Sequence, residues 1–406
     1  MPQVKSRVLV VTTQSWSGVE PFLRALEQAG FGVALVHGQA GGHVLHDASV
    51  SLFLARPLQF RHTIERVMQD LAPDLVVPTD EPSFQHLRAL YEMRSEAGRL
   101  RSPIARTIAR SLGDPGNYDR VARGAELQHF AREHGLPVPN SVEVDDEATL
   151  RVLLESVPLP VMLKGDGGWA GARAEIVRSM EGGIAAYHRV TGASQVTKLW
   201  RDQNKLHRLS DLLQQRLRTV SLQQHIDGVA ATRTIACREG QVLAGGNAEP
   251  LAGGPARVAK LIRHAAMDDI AAVVVMTLRL SGIVSLDFVL ERGTRQPWLL
   301  AVKPFATPVA QLVVASDAGL TAALYSGFAG TFDRREFADA IVMPFPRDGR
   351  REKTAAITAP AAKTAAPQPP APAGPDLLQP GELGATGTDG PRSARPAARL
   401  PWTVVR

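Results

Sequence analysis

The residue types and spacing with the clearest chemical meaning lie in Val161-Met162-Leu163-Lys164-Gly165-Asp166-Gly167-Gly168-Trp169-Ala170-Gly171-Ala172-Arg173. The apolar run 160–163 predicts a strand that delivers Lys164 to its end, and Ala174-Glu175-Ile176-Val177-Arg178 predicts the strand that follows. Arginine is the default cation of this chain, so a lysine facing a glycine loop asks for an explanation. One reading is a phosphate cradle: glycines let backbone N–H groups approach an anion, and the ammonium adds a compact charge. The other is a glycine-rich hairpin with a surface lysine.

Other polar positions carry weaker signals. Asp80 and Glu81 end an apolar run, at the place where open α/β sheets gather ligands, but they also suit the N-cap of a helix beginning near Pro82. Asp287 sits between apolar neighbours, where a carboxylate is costly unless it faces a site or a partner. His43 and His46 flank glycines and read as surface residues in preference to metal ligands. The stretch 191–218 holds Lys198, Arg201, Lys205, His207, Arg208, Arg216 and Arg218 with Trp200 as its one aromatic. Nucleic-acid recognition wants more interleaved aromatics, so a solvated face is the better reading and no nucleic-acid partner is expected.

The elements that must position these residues follow in order. Arg7–Val11, a helix over 17–29 stopped by Gly30, and a strand over 31–36 form a β–α–β unit, the start of a doubly wound parallel sheet. The turn at Thr12–Gly18 lacks G-x-G-x-x-G, which argues against a dinucleotide site. Helices are expected over 63–71, 118–134, 145–156 and 268–280, and strands near 72–81, 141–144, 220–226, 283–290 and 298–302. Segments 232–237 and 241–244 read as a hairpin. Asp114-Pro115-Gly116-Asn117 is turn chemistry and a plausible boundary. Residues 360–401 are rich in alanine and proline and predict a disordered tail.

The whole-chain numbers agree with a multidomain globular protein. The chain has 406 residues, 44% hydrophobic and 21% charged, with a formal charge of +6. A single cysteine, Cys237, rules out an internal disulfide framework and points to an intracellular, cytoplasmic setting. No apolar run has the length of a membrane span or a leader, so no membrane partner is expected.

In their order these pieces resemble the ATP-grasp superfamily, to which biotin carboxylase and carbamoyl phosphate synthetase belong, over most of residues 1–345. The resemblance implies an α/β and α+β architecture: a doubly wound pre-domain over 1–115, an ATP-grasp domain of two α+β subdomains over 116–345, and the tail over 346–406. Arg120, in Asn117-Tyr118-Asp119-Arg120, falls where the family often has a phosphate-binding lysine. Lys164 resembles the second nucleotide lysine, and the loop with Gly165, Gly167, Gly168 and Gly171 the flexible phosphate cover. Gln223, Gln224, His225 and Ile226 look like the hinge strand whose backbone meets adenine, and Asp287 like a metal-binding carboxylate.

The last strand departs from the family pattern of Glu, one residue, then Asn. Ala301 replaces the carboxylate and Lys303 the amide, so magnesium is left with Asp287 alone, whereas it needs several oxygens in octahedral array. If the strands pair as the resemblance implies, residues 301, 303 and 305 share one face. Lys303 then takes the place of one magnesium with Asp287 as counter-ion, or the site has decayed and Lys303 points to solvent. The resemblance implies ATP as cofactor and a small-molecule carboxylate as partner. The activity would be that of a carboxylate–amine ligase working through an acylphosphate. The alternative is a catalytically degenerate protein with a regulatory or scaffold role; a homodimer is compatible with either.

Overall fold

The computed structural model describes residues 6–13, 19–38, 50–56, 59–100, 102–122, 124–165, 174–191, 220–250, 259–308, 310, 319–329 and 341–342. Every one of them belongs to the larger of two compact units, Met1–Arg347 with Pro401–Arg406; the smaller is Asp348–Leu400. The tail reading, the basic stretch from Lys198 to Arg218, His43, His46 and the glycines Gly167, Gly168 and Gly171 lie outside the described residues.

The first part is a parallel sheet of order β3-β2-β1-β4, from β1 (Arg7–Thr12), β2 (Gly32–Gly38), β3 (Ser51–Ala55) and β4 (Leu75–Pro78). The alternation of a fully buried strand sends Val8 and Val10 to one face and Leu9 and Val11 to the other. Helix α1 (Val19–Gln28) covers the first face with Val19, Phe22, Leu23 and Leu26, spaced to form one apolar stripe. Helices α2 (Phe60–Leu71), α3 (Glu81–Glu96) and α4 (Pro103–Leu112) cover the second. The predicted strand over 72–81 is shorter than expected because Asp80 caps α3: its carboxylate accepts from Ser83 N at 2.8 Å, and Pro82 opens the helix. The same carboxylate accepts from Thr13 N at 2.7 Å and Thr13 Oγ1 at 3.0 Å, tying the end of β1 to the helix start.

After a 3₁₀ turn (Pro115–Asn117), the single helix expected over 118–134 appears as α5 (Tyr118–Ala122) and α6 (Gly124–Glu133). A small antiparallel sheet follows, of order β5-β8-β6-β7: β5 (Ser141–Val144), β6 (Val161–Gly165), β7 (Ala174–Val177) and β8 (Val220–Gln224). Helices α7 (Glu147–Ser156) and α8 (Met180–Val190) bury one of its faces through Leu150, Leu154, Ala186 and Val190 against Val161, Leu163, Val220 and Leu222. A side chain on Gly183 would run into Leu154, so the helices pack this closely only over glycine.

The large antiparallel sheet has order β13-β12-β9-β10-β11-β14. Its long strands are β9 (Gly228–Arg238), β10 (Gln241–Pro250), β12 (Gly282–Glu291) and β13 (Pro297–Lys303), with β11 (Ala259–Ile262) and β14 (Ile341–Val342) at one edge. Helix α9 (Ala265–Thr277) and α6 cover one face with Met267, Ile270, Val274 and Phe130. Under the first turn of α9, Arg233 pairs with Asp268 and donates to Asn247 Oδ1 at 3.2 Å, while Asn247 Nδ2 donates to Asp268 at 2.8 Å. Burial pulls the Arg233 guanidinium pKa down, and Asp268 opposes the shift.

The other face meets the parallel sheet, so Ala236, Ala248, Leu261 and Ile283 share a core with Val8, Phe22 and Leu35; α10 (Leu320–Ala329) adds Leu320 and Leu324. At one seam the chains touch backbone to backbone. Gly113 bridges Leu280, Asp114 N donates to Arg279 O at 3.1 Å, and side chains on Gly113 or Gly282 would strike Arg279 O and Ser111 O. Both glycines also hold positive φ, +96° and +83°.

Candidate functional site

The candidate site lies where the face of the small sheet turned away from its helices meets the β13 end of the large sheet. On the small sheet, Val161 and Leu163 go to the helices, so Met162 and Lys164 face the other way, and on β8 Leu222 and Gln223 divide likewise. Met162 and Gln223 are direct cross-strand partners. Lys164 reaches across the gap, and its Nζ donates to Leu300 O on β13 at 3.1 Å. That carbonyl is available because β13 carries a bulge there: Asp287 pairs with Ala301 and Phe288 with Leu299, leaving Leu300 as the extra residue.

On the large sheet, Asp287 lies opposite Ala301 on one side and Thr232 on the other. Its Oδ1 accepts from Thr232 Oγ1 at 3.1 Å, and its Oδ2 pairs with Lys303 Nζ at 2.5 Å. Lys303 is a diagonal neighbour, two residues along from Ala301 on the same face. The side chains are 20% exposed for Lys303 and 27% for Asp287, so the ammonium is held against the carboxylate and does not point to solvent. Phe305 departs from the expectation that 301, 303 and 305 share a face. The strand ends at Lys303, and the ring turns into the core beside Phe84 and Tyr118, with Ala306 N donating to Pro78 O at 2.9 Å.

The remaining expected residues are distributed around this space. Gln223 is buried and Gln224 half-buried; Gln224 N donates to Asn140 O at 2.7 Å, and its Oε1 accepts from Asn140 N at 3.3 Å. That leaves Gln224 N occupied. His225 and Ile226 follow outside any strand, and no backbone hydrogen bond joins them to the described residues. Arg120 is exposed on α5, which packs beside β13. Gly165, buried, is the last described residue before the glycine loop. Thr232 and the Leu300 carbonyl are site groups that the sequence did not single out, because both depend on register and on the bulge. Asp80 and His37 lie at the carboxyl end of the parallel sheet; burial lowers the His37 pKa, against raising contributions from Gly38 and Asp80.

The residues present do not fit a magnesium ion. Both Asp287 oxygens have partners, Ala301 offers no ligand, and Lys303 brings an ammonium with no lone pair. Among the described residues there is no group of three or more His, Cys, Asp or Glu able to hold a metal. Lys164 and Lys303 bring compact cations, whose chemistry suits anionic oxygens better than a metal ion.

No protein-family model matches this chain, and no curated protein matches it in sequence. Among solved structures it is similar to the biotin carboxylase domain of Hydrogenobacter thermophilus 2-oxoglutarate carboxylase, a dimer in complex with MgADP, ADP and bicarbonate. The TM-score is 0.58 at 12% identity, over 82% of this chain and 72% of that one. Biotin carboxylase from Campylobacter jejuni, as a β,γ-ATP complex, gives a TM-score of 0.56 at 11% identity, over 80% and 72%. N5-carboxyaminoimidazole ribonucleotide synthetase from Thermus thermophilus gives 0.52 at 16%, over 78% and 76%. These are ATP-grasp proteins, and this chain has the ATP-grasp fold. At such identities the likeness carries the fold, and the chemistry must rest on the residues themselves. Among the described residues no helix is long and apolar enough to cross a membrane.

Proposed function

We propose that this chain binds an adenine nucleotide between its two antiparallel sheets. The observation that carries the reading is the reach of Lys164 from β6 to Leu300 on β13, the strand that also carries Lys303 with its partner Asp287. In this reading Lys164, Lys303 and Arg120 hold phosphates. Gly165, with Gly167, Gly168 and Gly171, closes over them. Gln223, Gln224, His225 and Ile226 form the hinge for the base.

The general activity of the fold's neighbours suggests a carboxylate–amine ligase. ATP would activate a small-molecule carboxylate as an acylphosphate, and positioning and charge neutralisation would supply the rate. The pairing of Lys303 with Asp287 favours the second reading, in which nucleotide is bound and phosphoryl transfer has been lost, leaving a regulatory or scaffold role. Thermal melting with ATP and ADP tests the common claim. A ligand that binds only the folded state raises the midpoint, by a stabilisation of about 2.7 kcal/mol at one hundred times its Kd. A midpoint unmoved by either nucleotide, with and without magnesium, would overturn it. A coupled assay for ATP turnover then separates ligase from binder.

A further inference from the structure

We infer that Lys303 replaces a divalent ion in this site, so that the site takes the metal-free polyphosphate of a nucleoside di- or triphosphate and discriminates against its magnesium complex. The inference rests on nucleotide binding as proposed above and adds which ionic form is bound.

Geometry supports the replacement. The bulge at Leu300 brings Ala301 opposite Asp287 and sets Lys303 diagonally on the same face, and Lys164 comes from the other sheet to the Leu300 carbonyl of the same strand. Each Asp287 oxygen has a partner, Thr232 on Oδ1 and Lys303 at 2.5 Å on Oδ2. A magnesium ion entering here would have to compete with the ammonium for the carboxylate that the described residues place here, with Ala301 offering nothing in return. It would also sit against a like charge in a half-buried site, where water screens poorly. A bare polyphosphate meets the opposite situation. Its oxygens can accept from Lys303 while Asp287 keeps that ammonium in place, and Lys164 supplies a second cation. A side chain carries one positive charge where the divalent ion carries two, but it holds that charge permanently, so the site needs no ion from solution. No bond is made or broken in this step.

Calorimetry with ATP and with ADP, in chelator and in excess magnesium, tests the inference. We expect binding in chelator, and a Kd about tenfold or more weaker once magnesium has converted the nucleotide to its complex. Lys303→Met should lose the chelator-resistant binding, while Lys303→Arg, which keeps the charge, should retain it. Circular dichroism and melting show that each variant is folded. Ala301→Glu combined with Lys303→Asn should reverse the preference and make binding depend on magnesium. A wild-type chain that binds only with magnesium would overturn the inference and leave nucleotide binding standing. So would a folded Lys303→Met chain with unchanged binding in chelator. Failure to bind either nucleotide under any condition would overturn both readings.

Discussion

At the scale of single residues, Lys164 and His37 show two ways a cationic side chain is set by its surroundings. Lys164 is held by a carbonyl that a bulge has released. Replacing it with alanine should weaken ATP binding by roughly 1.5–3 kcal/mol, the worth of one charge-assisted contact. Calorimetry on a folded variant with unchanged affinity would remove Lys164 from the site. His37, at the end of β2 opposite Thr12, has its pKa lowered from 6.5 chiefly by burial. The folded state therefore prefers neutral imidazole, and the unfolded chain binds more protons just below that value. The stability contribution is present above pH 6.5 and is lost as the pH falls from there toward the depressed value. His37→Gln should flatten the fall in melting temperature between about pH 7 and 5; an unchanged slope would place the titration elsewhere. Cys237 is buried, burial raises its thiol pKa, and Sγ donates to Gly282 O, so it should resist thiol reagents in the native state.

At the scale of elements, the sequence was informative where period and punctuation agree. The stripe of Val19, Phe22, Leu23 and Leu26, the Asp80–Pro82 start and the apolar run at 283–290 all announce their elements. Helix α8 escaped notice because Gly182 and Gly183 weaken its pattern, although their purpose is tertiary: Gly183 makes room for Leu154. Gly183→Ala should improve local helix propensity yet cost about 1–3 kcal/mol through overpacking, measurable as a lower urea midpoint with unchanged slope. Strand β3 was missed because Ser51–Ala55 is a short edge strand in which only Ala55 is buried. In the site, the pairing of Lys303 with Asp287 was one of two alternatives that the resemblance left open, whereas Thr232, the bulge at Leu300 and the turning-in of Phe305 were not legible. Register and strand ends are decided by packing between distant segments. Asp268→Ala would leave the Arg233 guanidinium buried without its counter-charge. We expect a loss of about 2–3 kcal/mol, at the low end for a broken buried pair because Asp268 is half-exposed; a change within 0.5 kcal/mol, the usual range of surface substitutions, would show that water reaches Arg233.

At the scale of the whole molecule, four cores divide the labour. One joins the parallel sheet to the large antiparallel sheet, one lies between the parallel sheet and α2, α3 and α4, one lies under α9, and one lies under α7 and α8. The alanine- and proline-rich composition from Pro360 onward offers little surface to bury, so a chain truncated before Pro360 should melt within a degree or two of the full chain. A large drop would show that the apolar end around Trp402 docks on the larger unit.

The backbone seam at Gly113 and Gly282 has a mechanical consequence. Two segments in direct main-chain contact have no layer of side chains that can repack, so they cannot slip past one another in small steps. The parallel sheet and the large sheet are clamped there and through their common core, and they behave as an anvil. Among the described residues the small sheet joins them through the connector at Pro137, whose carbonyl takes Leu299 N at 2.8 Å, through β5 beside α6, through Asp227 with Arg292, and through the reach of Lys164. If the small sheet swings, 136–140 and 225–227 are its two straps, and the swing breaks the bond from Lys164 to Leu300, which makes that lysine the catch.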